Sequence, residues 1–163
     1  MRISAFILLF SLIALMILPA GCRKRSDAFV IGLGDNIRTI DPIGSPSTEA
    51  ASERVSTLIF NRLVKKDEKF DYVGDLASDI KRSDDGLTFT FTLRDGVKFH
   101  DGRPFSSADA KYTLDLLLSS SFAKSASFFE GTGANKQSYI KSIDAPDPKT
   151  LIVALNKPWV GLM

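Results

Sequence analysis

Leu87-Thr88-Phe89-Thr90-Phe91-Thr92-Leu93-Arg94 is the stretch of sequence that decides the fold. Apolar and polar residues alternate strictly along it. A period of two places the apolar side chains on one face of a strand and the threonines on the other. The apolar face consists of Leu87, Phe89, Phe91 and Leu93. The pattern therefore predicts a strand over residues 87–94 with one buried face.

Two glycine-containing turns follow this strand. Asp95-Gly96 separates it from residues 97–100, and an Asp-Gly pair between two alternating runs is a strong hairpin signal, because glycine adopts positive φ without strain. Asp101-Gly102 marks the second turn. The sequence predicts a β-hairpin between residues 87–94 and 97–100, with Gly96 at positive φ.

A capped helix is predicted next. Ser106 is a typical N-cap, and Asp109 stands three residues later as the short-armed carboxylate of a capping box. The apolar residues that follow recur with helical spacing and form one stripe. They are Ala110, Leu114, Leu117 and Leu118. Hairpin, turn and capped helix are thus expected in direct succession.

Residues 93–110 read Leu-Arg-Asp-Gly-Val-Lys-Phe-His-Asp-Gly-Arg-Pro-Phe-Ser-Ser-Ala-Asp-Ala. This run resembles the signature region of the family 5 extracytoplasmic solute-binding proteins, the oligopeptide-, dipeptide- and nickel-binding components of ABC importers. The resemblance implies an α/β chain, the N-terminal part of a two-lobed periplasmic-binding-protein type II fold, with mixed sheets, β-hairpins and flanking helices. Family members are much longer, so the chain is expected to be an N-terminal fragment.

The N-terminus looks like that of a bacterial lipoprotein. Residues 3–18 are apolar except for two serines, and this run is shorter than the ~20 residues of a typical spanning helix. Ala20-Gly21-Cys22 resembles a lipobox, which implies a signal peptide over residues 1–21 and a lipid anchor on Cys22. The basic residues 23–25 work against translocation, so an uncleaved signal anchor is the alternative. The predicted division continues with an anchor or linker over residues 22–28. Residues 29–163 are predicted to be the truncated N-terminal portion of the solute-binding domain.

Composition excludes several function classes. The chain has 163 residues, of which 44% are hydrophobic and 25% charged, as expected for one globular domain. A net charge of +2 gives no reason to expect nucleic acid as a partner. The single cysteine forms no internal disulfide and no cysteine-based zinc cluster. Neither a metal site nor a cofactor is predicted.

The remaining segments give weaker predictions. Residues 29–33 form a short apolar run typical of a buried strand. Residues 47–63 carry a helical stripe made of Ala51, Val55, Leu58 and Ile59. The serine-rich residues 119–127 are expected to be mobile. Two strand-like runs, residues 139–143 and 151–155, surround a Pro- and Asp-rich turn and predict an antiparallel pair.

Adjacent aromatic residues at 128 and 129 have two interpretations. Residues 128–133, Phe-Phe-Glu-Gly-Thr-Gly, resemble a stretch of the dipeptide-binding branch of the family. Both rings can be exposed and line a groove. Alternatively, one ring belongs to the core and the other anchors a loop.

Nothing in the sequence indicates an enzyme. The nucleophile-elbow pattern Gly-x-Ser-x-Gly is absent, and His100 is the only candidate base. His100 is expected to be a hydrogen-bonding structural residue before its turn. The acidic pairs Asp84-Asp85 and Asp144/Asp147 have the sequence context of turns, where aspartate bonds its own backbone. No catalytic residue is therefore predicted.

The resemblance implies a binding function. The protein is expected to capture a peptide or similar small solute outside the cytoplasm and deliver it to an ABC permease, while the lipid anchor holds it to the membrane. Alignment with the dipeptide branch implies that Ser47, Thr48 and Glu49 contact the ligand, with Phe129 as a weaker addition. The alternative is a membrane-anchored protein of another class, either structural or adhesive or, less favoured, a hydrolase.

Overall fold

The structure, a computed structural model, describes residues 30–44 and 50–162. The chain divides into two units, residues 1–32 and 33–163. Residues 30–32, the described part of the first unit, carry no helix or strand. The predicted signal peptide and the anchor segment at residues 22–28 lie outside the described residues.

The described part of the second unit contains eight strands and two α-helices. The strands are β1 Val64–Lys66, β2 Tyr72–Gly74, β3 Ala77–Arg82, β4 Thr88–Leu93, β5 Phe129–Glu130, β6 Gln137–Ser138, β7 Ile140–Asp147 and β8 Thr150–Leu155. The helices are α1 Ala50–Ile59 and α2 Ser107–Ser119, with 3-10 helices at Ala123–Phe128, Gly133–Asn135 and Val160–Leu162.

An antiparallel sheet of order β3-β4-β8-β7 forms the core. The predicted strand is β4, and its alternation is confirmed because Phe89, Phe91 and Leu93 are all buried. Phe91 pairs with Ile80 on one side and Leu151 on the other. Helix α2 covers this face with part of its predicted stripe, including Ala110 and Leu114. Fully burying each large apolar side chain contributes roughly 1.5–3 kcal/mol.

The predicted hairpin between residues 87–94 and 97–100 is wrong. Strand β4 forms its hairpin with β3 instead, and its other edge pairs with β8, so no edge is left for residues 97–100. Within that run, Lys98 forms only an isolated bridge to Pro104. The turn that makes the true hairpin is Ser83-Asp84-Asp85-Gly86, in which Asp85 Oδ1 accepts from the Leu87 N–H at 2.9 Å.

The second predicted hairpin is confirmed. Strands β7 and β8 are antiparallel and place Ile143 opposite Val153, with both side chains buried. Asp147 Oδ1 accepts from the Lys149 N–H at 2.8 Å in the connecting turn. This aspartate thus bonds its own backbone, as predicted for the acidic pairs in turns.

The start of helix α2 matches the predicted capping box. Asp109 Oδ2 accepts from both the N–H and the hydroxyl of Ser106, each at 2.9 Å. Partial burial raises the pKa of Asp109, but hydrogen bonds from Arg103 and Ser106 outweigh it and hold that pKa below its usual value. The buried Ser107 donates its hydroxyl to the Asp147 carbonyl and ties the helix start to the β7–β8 turn.

Helix α1 differs from the helix predicted over residues 47–63. Among the described residues it ends at Ile59, because the backbone of Arg62 bonds with Asp75 and Leu76 instead of continuing the helix. The predicted stripe is wrong at Leu58, which is 71% exposed. The small polar residues Ser52 and Ser56 are buried instead. Helix α1 therefore buries Ala51, Ser52 and Ser56, a different set of residues from the predicted apolar stripe.

The buried strand predicted at residues 29–33 is wrong over the residues that the structure describes. Residues 30–33 form no strand and pair with no strand of the described chain, and Val30 is 80% exposed. Part of the serine-rich segment lies in the 3-10 helix Ala123–Phe128, in which Ser125 is buried. The Ser125 hydroxyl donates to the carbonyls of Phe122 and Ser120, so serine there organises the backbone.

Candidate functional site

The structure covers only part of the predicted site. Cys22, Ser47, Thr48 and Glu49 lie outside the described residues. Phe129 is described, on β5 opposite Ser138. The chain on both sides of residues 45–49 is described, namely residues 41–44 and helix α1.

Residues 41–44 form an ordered turn before that segment. Asp41 Oδ1 accepts from the Ile43 N–H at 2.9 Å, and the Asp41 N–H donates to Thr39 Oγ1 at 3.0 Å. Backbone N–H groups of Ile43 and Gly44 hold the pKa of Asp41 below its usual value, and Lys124 adds to the effect. A Cβ on Gly44 would lie 2.5 Å from Asp41 Oδ2, so a larger residue there would displace the Asp41 carboxylate.

Lys124 connects this turn to helix α1. Its ammonium donates to the Pro42 carbonyl at 2.8 Å and pairs with the Glu53 carboxylate. The Lys124 side chain is 25% exposed, and a guanidinium nitrogen of Arg62 lies 4.0 Å from Glu53. We call Lys124, Pro42 and Glu53 the Lys124 junction. It holds together three segments that are separated in sequence.

The structure also forms a polar cleft of about 350 Å³ between the β5–β6 pair and the end of β8. Its lining residues are Glu130, Gln137, Ser138, Asn156 and Lys157. Lys157 pairs with Glu130, and Asn156 Nδ2 donates to the Ser138 carbonyl at 2.9 Å. The cleft therefore offers both signs of charge, although the two charges already neutralise each other.

An aromatic cluster beside the cleft distinguishes the two adjacent phenylalanines. Trp159 stacks on Tyr139 at a centroid distance of 4.9 Å and meets Phe128 edge-on at 5.5 Å. Phe128 packs against the core, whereas the half-buried Phe129 lies 3.9 Å, centroid to ammonium, from Lys136. This arrangement favours the interpretation of one core ring and one loop anchor. Phe129 does not line the polar cleft.

The predicted turn residues lie in the loop between β4 and α2. Gly96 has a φ of 73° and Gly102 a φ of 86°, both in the region that favours glycine. Asp95 pairs with Lys149 at 2.5 Å, and Asp101 Oδ1 accepts from the Arg103 N–H at 2.9 Å. The Asp95–Lys149 pair connects the loop to the β7–β8 turn, whereas the Asp101–Arg103 bond lies within the loop.

The structure overturns one expectation about the loop. The His100 side chain is exposed and makes no hydrogen bond to the described residues, so the structural role expected for it is wrong. Among the described residues, no three His, Cys, Asp or Glu side chains are grouped as a metal site would require. No helix in the same part of the chain is both long enough and apolar enough to cross a membrane.

Sequence reasoning did not identify the Lys124 junction. Lys124 lies in a serine-rich run, and Glu53 falls off the apolar stripe of its helix. The only available signal was that Lys124 is the single charged residue between positions 119 and 127. A contact between residues 71 positions apart depends on the tertiary path and has no local signature.

Comparisons with known proteins place the chain among solute-binding proteins. Residues 71–163 match the family described as bacterial extracellular solute-binding proteins, family 5 Middle. A Brucella ovis protein named as an ABC transporter peptide-binding protein is 42% identical over 105 residues, which are 64% of this chain and 18% of that relative. Glutathione-binding protein GsiB of Escherichia coli K12 is 32% identical over 142 residues, covering 87% of this chain and 26% of the relative.

A solved structure has the same fold. The binding protein AgaA of A. tumefaciens R10, in complex with agropinic acid, superposes with a TM-score of 0.66 at 29% identity. The likeness covers 78% of this chain and 24% of AgaA. It confirms the predicted α/β class and the type II binding-protein fold. The chain spans about a fifth to a quarter of the length of the proteins it matches.

Proposed function

The chain belongs to the bacterial extracellular solute-binding proteins of family 5, and from this we propose that it takes part in capturing a peptide for an ABC importer. One observation carries the proposal, namely the 42% identity over 105 residues to a protein named as peptide-binding. The 32% identity to a glutathione-binding protein agrees, because glutathione is itself a tripeptide. The partner that receives the solute is then an ABC permease.

The proposed contacts lie at the segment that the Lys124 junction brackets. Ser47, Thr48 and Glu49 offer hydroxyl and carboxylate groups, and Phe129 is a weaker candidate. Peptide main-chain groups can bond to protein backbone as an added strand does, and hydrated pockets accept varied side chains. Such a site selects for the peptide backbone and tolerates many sequences.

The proposed setting is extracytoplasmic. Cys22 would carry the lipid that holds the protein at the membrane surface, and no catalytic residue, metal or cofactor is assigned. Family members are binding proteins, and the proposal assigns this chain the same non-enzymatic role. Nucleic acid is not a proposed partner.

A second solute class is favoured by the structural comparison. AgaA, with a TM-score of 0.66, was solved in complex with agropinic acid. A small acidic solute of that kind would present a carboxylate, as a peptide does, but no peptide main chain. The two classes therefore differ in whether main-chain amides are needed for binding.

Ligand-observed NMR tests the proposal. Saturation-transfer spectra of the 163-residue chain with a dipeptide, a tripeptide and reduced glutathione should show transfer to the peptide backbone protons. Agropinic acid is the second-class probe, and free glycine is the control for an unspecific zwitterion. Glu49→Gln should weaken the peptide signal, whereas Asp144→Asn on β7, which is not among the proposed contacts, should not. Transfer to no peptide would overturn the proposed function.

A further inference from the structure

We propose that the polar cleft is a second binding site and that it takes a small neutral polyol such as a monosaccharide. The cleft lies between the β5–β6 pair and the end of β8 and has a volume of about 350 Å³. None of its lining residues is among the proposed peptide contacts, and the inference does not rest on the proposed function. It is carried by the hydrogen-bonding groups that line the cleft.

The lining of the cleft is polar and has no net charge. All five lining residues have polar side chains, and the ionised groups among them are the Glu130 carboxylate and the Lys157 ammonium, which pair with each other. An anion or a cation in the cleft would displace one member of this pair and leave it without its partner. A peptide would place apolar side chains against a lining that contains no apolar residue. The electrostatics therefore favour a ligand that is polar and uncharged.

Several hydrogen-bonding groups of the lining are not used within the described part of the chain. There, the Gln137 side-chain amide makes no hydrogen bond, and Asn156 Oδ1 accepts none. The Lys157 ammonium has three donors, and Glu130 takes one of them. Donors and acceptors thus lie side by side. Because a hydroxyl group is both a donor and an acceptor, a ligand with several adjacent hydroxyls matches this lining.

The side chains of the lining extend from a defined backbone. Glu130 lies directly opposite Gln137 in the β5–β6 pair, so the two side chains extend from the same face of that pair. Asn156, directly after β8, donates through Nδ2 to the Ser138 carbonyl at 2.9 Å. That bond fixes the amide plane, and with it the direction of the free Oδ1. The cleft is therefore formed before a ligand enters it.

The connection between β5 and β6 is also constrained. Gly131 has a φ of 72°, and a Cβ on it would lie 2.5 Å from the Asn135 carbonyl oxygen, so this turn requires glycine. Lys136, just before β6, lies over the Phe129 ring at 3.9 Å, ammonium to centroid. Binding groups perform well only when the residues around them fix their geometry, and this loop fixes the spacing of the two strands.

The Glu130–Lys157 pair can open for a ligand at little cost. The side chains are 52% exposed at Glu130 and 48% exposed at Lys157, so water screens the attraction between them. A hydroxyl that inserts between the two groups accepts from the ammonium and donates to the carboxylate, so both charges keep a hydrogen bond. The ligand then replaces water at the pair without leaving either charge unsatisfied.

Lys149 provides a matched control in the same chain. Its ammonium pairs with Asp95, and these side chains are 60% and 78% exposed, so this is also an ion pair at the surface. Lys149 and Asp95 do not line the cleft. Lys149→Met and Lys157→Met each remove one exposed ion pair, and only Lys157→Met should change polyol binding.

An NMR titration of the ¹⁵N-labelled 163-residue chain tests the inference. The probes are D-glucose, D-galactose, D-mannose and myo-inositol, with cyclohexanol as the single-hydroxyl control and glycine betaine as the zwitterion control. At least one polyol should give saturable shift changes at Glu130, Gln137 and Lys157. The Kd should be millimolar, because an open cleft buries only part of its ligand.

The variants locate that binding in the cleft. Lys157→Met should raise the Kd about tenfold and Gln137→Ala about threefold, because a hydrogen bond to a charged group is worth more than one to a neutral group. Lys149→Met should leave the Kd unchanged, and circular dichroism confirms that each variant folds. Saturation by none of the polyols, equal saturation by cyclohexanol or betaine, or equal losses in Lys157→Met and Lys149→Met would overturn the inference.

Discussion

Gly96 allows a backbone effect to be measured without a packing effect. Its φ is 73°, and no heavy atom lies within 4 Å of the position that a Cβ would occupy. Valine at this site therefore meets no steric clash with its surroundings, and the cost comes from holding an L-residue in the left-handed region. That cost is roughly 1–2 kcal/mol, and β-branching places valine at the upper end.

Urea unfolding followed by circular dichroism measures this cost. Gly96→Val should lower the free energy of unfolding by about 2 kcal/mol with an unchanged m-value, because the surface exposed on unfolding is the same. Gly96→Asn is the matched control, since asparagine adopts positive φ more readily and should lose less. Equal stability of the wild type and Gly96→Val would show that residue 96 does not need positive φ and that the turn is formed differently.

Three further predictions concern pH, the anchor and affinity. Burial raises the pKa of Asp75, but hydrogen bonds from the Arg62 N–H and Asn61 and the charge of Lys65 outweigh burial and lower that pKa. A carboxylate with a lowered pKa in the folded state adds stability that is lost as pH falls, so Asp75→Asn should weaken the pH dependence of the unfolding free energy below about pH 4, measured by urea unfolding. An unchanged pH dependence would contradict this. Wild-type protein should take up labelled fatty acid in cells and Cys22→Ser should not, because serine lacks the thiol that would carry the lipid. Several acyl chains, at ~0.8 kcal/mol per buried CH₂, would hold the wild-type protein firmly on a membrane. Equal labelling of both proteins would exclude lipidation at this residue. The 163-residue chain should bind peptides with a Kd weaker than micromolar in calorimetry, because it spans 18–26% of the length of its relatives and so lacks many of their contacts. A loss of about 5 kcal/mol of contacts raises a micromolar Kd beyond millimolar. Saturable micromolar binding would refute this prediction.

The sequence predicted those parts of the fold that local signals determine. Strict alternation located β4 and its buried face, and Ser106 with Asp109 located the start of α2. Side-chain period and capping chemistry act within a few residues, so one sequence suffices to recognise them.

Strand pairing was not predictable in the same way. Asp95-Gly96 and Asp85-Gly86 are both Asp-Gly pairs beside the same strand, and only the second makes a β-hairpin. The choice depends on β8, which follows β4 by more than fifty residues and occupies its remaining edge. Long-range pairing therefore decided which of two equivalent local signals became a hairpin.

The candidate site was likewise predictable only in part. The resemblance located the family and proposed Ser47, Thr48 and Glu49 as contacts. It gave no indication of Lys124, whose role depends on the approach of a 3-10 helix to a distant turn. Leu58 shows the same limit, because its exposure depends on which neighbours α1 meets.

Protein-observed NMR tests the central claim most directly. A titration of the ¹⁵N-labelled 163-residue chain with a tripeptide locates the binding site as well as detecting it. The account predicts saturable shift changes at residues 41–53, with much smaller changes in the polar cleft at Glu130 and Lys157. Shift changes concentrated in that cleft, or none in residues 41–53 at saturating peptide, would contradict the claim that this part of the chain contacts the solute.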